Sequence, residues 1–253
     1  MKSLLVFLPS RNRPERMYEA VQSFIDTTDG THSEIRILVD KDDPQLEKYL
    51  EIFDKNVFKD RISYVVGEPD SYTNIVNREF KNDNNREFYC LTNDDIIFKT
   101  PEWDKLLSID WAITTGHEPN MHEYHKERAV KGFPIISVID GRICRELGWL
   151  QYPKLDQCCG DNVWHMFGVA CKNLLYIKDV IYIHNHAVFG KVPMDEHYHK
   201  RLDNNYEEIV KDHKIYMNWA KYERMNDVKK VRGLIDRNNG KFKLRNTIKK
   251  GAK

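Results

Sequence analysis

No glycine-rich loop follows the first apolar run of this chain. Residues 3–8 lead instead into Pro9, Ser10, Arg11, Asn12, Arg13 and Pro14, which excludes the Gly-x-Gly-x-x-Gly and Walker-type phosphate cradles. Cysteine is scarce: there are five, an odd number, with no Cys-x-x-Cys spacing and with Cys158 and Cys159 adjacent. That argues against a disulfide framework or a zinc knuckle, and a reducing cytoplasm is the expected location. His117, His122 and His125 have neither a helix-face pairing nor an accompanying cysteine, so they do not read as a zinc centre. Apolar runs stay far below the roughly 20 residues of a membrane span. The opening stretch is too short for a signal peptide and is broken at once by Pro9 and the arginines. Internal repeats and low-complexity segments are also missing.

What is present suits one large domain, or one domain with a small extension: 253 residues, 41% of them hydrophobic. Apolar runs at 3–8, 35–39 and 62–66, and a fourth beginning at Phe88, read as strands. Helical spacing fills the gaps, first at Met17, Ala20, Val21, Phe24 and Ile25, then at Leu46, Tyr49, Leu50 and Phe53, then over 72–80. Strands alternating with helices predict a mostly parallel α/β sheet, whose ligands sit at the carboxyl ends of the strands. Further on, 101–107 reads as a short helix, with Trp103 and Trp111 as core. Residues 114–131 read as a mobile polar loop, 133–139 and 174–183 as strands, and 203–236 as one or two helices with an apolar stripe that includes Trp219, Tyr222 and Met225. Net charge is only +1, but residues 228–253 carry ten Lys or Arg against the single acidic Asp236. Such a tail is either a solvated end or a contact for a polyanion, nucleic acid or an anionic membrane surface.

Several clusters carry chemistry. Phe88, Tyr89, Cys90 and Leu91 run into Asn93, Asp94 and Asp95, followed by Ile96, Ile97 and Phe98. Two adjacent carboxylates at the end of a buried strand are costly unless a cation or donor groups neutralise them. A hard divalent ion, Mg2+ or Mn2+, suits such oxygen donors, and the alternative is a solvated turn. Asp161 precedes a helix, where it acts as an N-cap, a proton acceptor or both. His184 and His186 leave a strand end and, by its alternation, point to one side. Arg11 and Arg13 form either surface ion pairs or ligand contacts, and Asp40 is either an Asx-turn residue or a ligand contact. On the helix after the third strand, Tyr72 reads as packing, with Asn74 and Asn77 facing a pocket.

Taken in order over residues 3–195, these motifs resemble the GT-A fold, a Rossmann-like sheet flanked by helices, of nucleotide-sugar glycosyltransferases. The resemblance implies that Pro9, Arg11 and Asp40 contact the nucleobase, with Arg13 near the ribose or phosphates. It implies that Asp95 holds a divalent metal, completed by His184 or, second, His186, with Lys191 assisting at the diphosphate. Asn93 stands where the family's metal motif has its first acid, with Asp94 as the substitute, and Asp161 takes the place of the catalytic base. The implied protein is a hexosyltransferase of inverting course using a UDP-sugar, with a domain over 1–200 and a helical, basic extension over 201–253. Its acceptor, by the tail, is a polyanion such as a hydroxylated base in nucleic acid, as some bacteriophage transferases of this build modify DNA. The rival classes are a nucleotidyltransferase of similar build, which usually has the missing glycine loop, and a non-catalytic nucleic-acid binder.

Overall fold

The computed structural model describes residues 3–55, 61–120, 132–187, 194, 199 and 206–237. Lys191, His122, His125 and the tail beyond Arg237 lie outside the described residues. The centre of the fold is β1 (Leu4–Pro9): Leu4, Val6 and Leu8 enter one hydrophobic cluster and Leu5 and Phe7 another, the period of two that a doubly covered strand requires. It pairs in parallel with β2 (Ser33–Asp40) and β4 (Phe88–Leu91), and β2 pairs in parallel with β3 (Ile62–Gly67). This half matches the sequence-based expectation.

The other half is mixed. Across the eight-stranded sheet the order is β3-β2-β1-β4-β7-β6-β8-β5. Here β7 (Ser137–Asp140) runs antiparallel to β4 and β6, β6 (Ile113–His117) is parallel to β8 (Leu174–His184), and β5 (Ile96–Phe98) is antiparallel to β8. The strand β6 corrects the loop expected from residue 114 onward; residues 121–131 of that loop lie outside the described residues. Thr114 and Thr115 are polar in composition yet fully buried. The Thr114 hydroxyl donates to the Leu107 carbonyl at 2.6 Å, so a β-branched residue keeps its strand geometry and still satisfies its polar atom.

One face of the sheet is covered by α1 (Pro14–Thr27), α2 (Leu46–Asp54) and α4 (Trp103–Leu107), through Met17, Val21, Phe24, Tyr49 and Trp103. As expected, Trp103 is core, stacked on Phe98 with ring centroids 4.0 Å apart. Trp111 is only half-buried and lies under the Arg142 guanidinium at 3.8 Å, a cation–π seat rather than a core position. The opposite face is covered by α3 (Tyr72–Asn82), α5 (Gly141–Leu147) and α6 (Gly160–Cys171).

The carboxyl-terminal helices join this second cluster. They run as α7 (Tyr206–Asn218), a π-helical turn (Trp219–Glu223) and α8 (Arg224–Arg237), burying Trp219, Val228, Val231 and Ile235. Tyr222 and Met225, expected on the apolar stripe, are 64% and 49% exposed. A π turn holds more residues than an α turn and rotates the helix beyond it, so the face begun by Trp219 resumes at Val228. Among the described residues no helix is long and apolar enough to cross a membrane.

Candidate functional site

A cleft of about 560 Å³ opens at the carboxyl ends of β1, β2 and β4. One wall is the loop from β1 to α1. Asn12 adopts a left-handed conformation there (φ 59°), and its N–H donates to Asp43 Oδ2 at 2.7 Å. Asp43 Oδ1 also accepts the Gln45 N–H at 2.7 Å. The turn-stabilising part considered for Asp40 thus falls to Asp43, and the Asp40 side chain is left facing Arg11. Arg11 Nη1 donates to Asp40 Oδ2 at 2.7 Å and to Asp42 Oδ1 at 2.6 Å. Burial raises the Asp40 pKa, with Arg11 pulling the other way.

The floor is the end of β4. Asp94 and Asp95 are each only 5% exposed, so the solvated-turn alternative fails. Asp94 is spoken for: Oδ2 accepts from the Ser10 hydroxyl at 2.8 Å and Oδ1 lies 3.3 Å from Arg13 Nη1. Ser10 Oγ is 2.7 Å from the Tyr49 hydroxyl, which accepts the Arg13 N–H at 2.9 Å. Burial and the neighbouring Asp95 charge push the Asp94 carboxyl up, against Arg13 and Ser10.

Asp95 faces the other way. The antiparallel pairing of β5 with β8 puts Ile96 opposite His184, and the Asp95 carbonyl accepts the Asn185 N–H at 2.8 Å. That brings His184 Nε2 to 3.3 Å from Asp95 Oδ1, with the His186 ring 4.8 Å from the His184 ring. Burial opposes ionisation of Asp95, but His184, His186 and Arg13 together carry its carboxyl below its ordinary value. Among the described residues no group of three or more His, Cys, Asp or Glu side chains is arranged to hold a metal ion. Even so, the buried Asp95 Oδ1 makes only the 3.3 Å contact with His184 and no well-aligned hydrogen bond. One carboxylate and an imidazole fit a cation that takes its remaining ligands from substrate phosphates and water.

The far wall is built by contacts between distant parts of the chain. Cys159, left-handed at φ 65°, turns the chain into α6 and occupies its N-cap position, though its side chain does not cap the helix. Asp161 is therefore inside the first turn, not the cap, and its Oδ1 accepts the Asn162 N–H at 2.8 Å. The segment leading to α6 is pinned from α7: Asp212, 1% exposed, accepts the N–H groups of Asp156, Gln157 and Cys158 at 2.9, 2.8 and 2.7 Å. Lys211 pairs with Asp156 beside it. Buried Asn77 accepts the N–H groups of Leu150 and Gln151 at 2.9 and 3.0 Å and donates to the Gln151 carbonyl at 2.8 Å.

Pro9, Arg11, Arg13, Asp40, Asn93, Asp94, Asp95, Asp161, His184 and His186 thus line one cleft. Asn74 does not: it is exposed, and its amide donates to Asp70 Oδ1 at 2.8 Å. The two expectations for α3 are partly exchanged, since Tyr72 lines the cleft and Asn77 is an internal strut. Ser10, Tyr72, Gln151 and Cys158 were not singled out as site residues; of these only Ser10 stood inside a recognised motif.

Solved structures share the fold. The chain is similar to the mannosyltransferase PcManGT from Pyrobaculum calidifontis, in complex with GDP-Man and Mn2+, at TM-score 0.60 and 11% identity over 94% of this chain and 75% of that one. It is similar to S. aureus TarS 1–349 in complex with UDP at TM-score 0.56 and 12% identity, over 95% of this chain and 72% of that one. The fold is GT-A-like. Against the longer S. aureus TarS structure the TM-score is 0.55 at 12% identity, and the match spans 45% of that chain and 89% of this one. No family model matches the sequence, and no curated protein does. At such identities the likeness carries the fold, as the sequence motifs led one to expect.

Proposed function

We propose that this protein is an inverting glycosyltransferase that moves a hexosyl unit from a UDP-sugar to an acceptor hydroxyl. The observation that carries the reading is one cleft, on a GT-A-like fold, with a base-side pair, a diphosphate-side pair and a carboxylate on the far wall. Arg11 and Asp40 are the base-side pair, and an aspartate there accepts the uracil imide hydrogen. Arg13, whose guanidinium lies 3.3 Å from Asp94 and whose backbone N–H donates to the Tyr49 hydroxyl, is the proposed phosphate contact. Asp95 and His184, with His186 beside them, would hold a Mn2+ or Mg2+ ion, which when bound supplies positive charge against the departing diphosphate. Asp161 takes the proton of the acceptor hydroxyl as that oxygen attacks the anomeric carbon. Lys191, outside the described residues, is proposed as a further diphosphate contact on the sequence reading alone. For the acceptor, the basic tail supports a polyanion, sharpest as a hydroxylated base in nucleic acid.

A thermal-shift panel of UDP- and GDP-sugars, with and without Mn2+, tests the donor, because a ligand that binds only the native state must stabilise it. Stabilisation by a UDP-sugar, followed by sugar transfer or slow donor hydrolysis, is expected; nucleotide-independent melting would sink the reading. For the acceptor, KM on modified duplex DNA should rise with salt and with removal of the residues after Asp236. A KM indifferent to both would redirect the search to a saccharide or protein hydroxyl.

A further inference from the structure

Gln151 is 7% exposed and lines the cleft, and its side-chain oxygen is buried without any hydrogen-bond partner. A buried amide oxygen left unpaired is destabilising, and such groups are few in native proteins. The backbone that carries it is held in place. Both backbone polar groups of Gln151 are fixed by Asn77. Its amide packs against Gly160 so closely that a β-carbon there would stand 2.2 Å from Gln151 Oε1. The Tyr72 phenol sits against the same amide: burial drives that phenol to its neutral form, and the amide N–H, by donating to the phenol oxygen, opposes this and leaves Oε1 unpaired. The oxygen therefore lies against Gly160, the residue that precedes Asp161, in the space that this glycine leaves.

We propose that Gln151 Oε1 reads the sugar: it accepts a hydrogen bond from a hydroxyl of the hexosyl group of the bound nucleotide sugar, placing that group next to Asp161. An acceptor-only oxygen calls for a donor, and the only strong donors a neutral hexose offers are its hydroxyls. The nucleotide already has its own charged partners at Arg11, Asp40 and Arg13 across the cleft. Gly160 is then kept small for the amide rather than for the backbone, since its φ is not in the left-handed region. This rests on the reading of the cleft as a nucleotide-sugar site.

The test is calorimetric affinity of the full chain for UDP, GDP, UDP-glucose, UDP-GlcNAc and GDP-mannose. Gln151→Met keeps the volume and removes the acceptor, so affinity for whichever sugar nucleotide the native protein binds should fall roughly five- to a hundredfold, the effect of one unmade hydrogen bond in a buried site. Affinity for the matching nucleoside diphosphate should not change. Gly160→Ala pushes the amide aside without removing it and should produce the same selective loss, while Gln151→Glu, which retains acceptor oxygens, should lose less. Equal losses for nucleotide and sugar nucleotide, or no loss for either, would overturn the proposal and leave the glycosyltransferase reading standing. If the native protein binds none of the five ligands, that reading fails and the proposal fails with it.

Discussion

The two walls of the cleft are held by different means. On the β1–β2–β4 side each polar residue lies within a few positions of a strand end and is balanced by a charge: Arg11 by Asp40 and Asp42, and Asp94 by Arg13. On the far wall the one ion pair named above, Lys211 with Asp156, is exposed, and neutral and backbone contacts do most of the holding. That wall is fixed by one neutral amide, Asn77, reaching 73 and 74 residues along the chain, and by one carboxylate, Asp212, reaching 54 to 56 residues back. The first wall is set by where strands stop and the second by what packs behind it. A change in the first should therefore alter ligand binding at little cost to the fold, whereas the supports of the second should show themselves in stability.

The sharpest break of that contrast is Asp161→Asn, the far-wall residue given a chemical task. Asparagine preserves shape and a hydrogen-bond acceptor but cannot take a proton, so transfer should drop by roughly 10²- to 10⁴-fold while donor affinity and melting temperature hold. Native turnover in steady-state assays would return Asp161 to a structural role. On the near wall, Asp95→Ala should remove the part of UDP affinity that a chelator abolishes in the native protein. Calorimetry with and without chelator reads this directly, and a variant still sensitive to chelator would contradict it. Asn77→Ala should leave two N–H groups and a carbonyl buried without partners, at roughly 1–3 kcal/mol each before relaxation. Urea unfolding is expected to show a loss of several kcal/mol, against a small loss for Arg11→Ala, whose guanidinium is more exposed.

The smallest effect lies away from both walls, in the Asp83 cluster at the end of α3. Arg86 lowers the Asp83 pKa by hydrogen bonding, and Arg36 adds to it. A carboxyl depressed in the folded state stabilises above its unfolded pKa, near 4, and that contribution is lost as pH falls through the folded value. The midpoint difference between the native protein and Asp83→Asn should therefore be present at pH 7 and shrink below about pH 4; an acid-independent difference would assign it to packing.

How much was legible divides along the same line. β1 to β4 and their helices could be read because apolar runs and breakers alternate there in sequence, and the motif residues stand at the breaks. His184 and His186 were legible as a strand end, and their meeting with Asp95 was implied by the family resemblance alone, since it depends on the antiparallel pairing of β5 with β8 that no local pattern shows. β6 was hidden because its buried threonines satisfy their hydroxyls on backbone carbonyls, a tertiary fact. Gln151 and Asp212 left no local signal, since an isolated glutamine in a loop and an aspartate on a charged helix have ordinary surface readings. The apolar stripe of the last helices was misjudged at Tyr222 because a π turn breaks the period on which such a reading depends.

The hold of Asp212 on Asp156, Gln157 and Cys158 couples the lip of the cleft to the helix that carries it. Those three amide protons can exchange with solvent only when α7 lifts or the lip opens, so their exchange rates time the undocking of the carboxyl-terminal helices. Coupling of this kind is reciprocal. Whatever grips α7 and favours its docked state must quiet the lip, and a substrate that settles the lip must clamp α7 by the same factor. A helix some fifty residues further along the chain can therefore be felt at the lip of the cleft through one carboxylate.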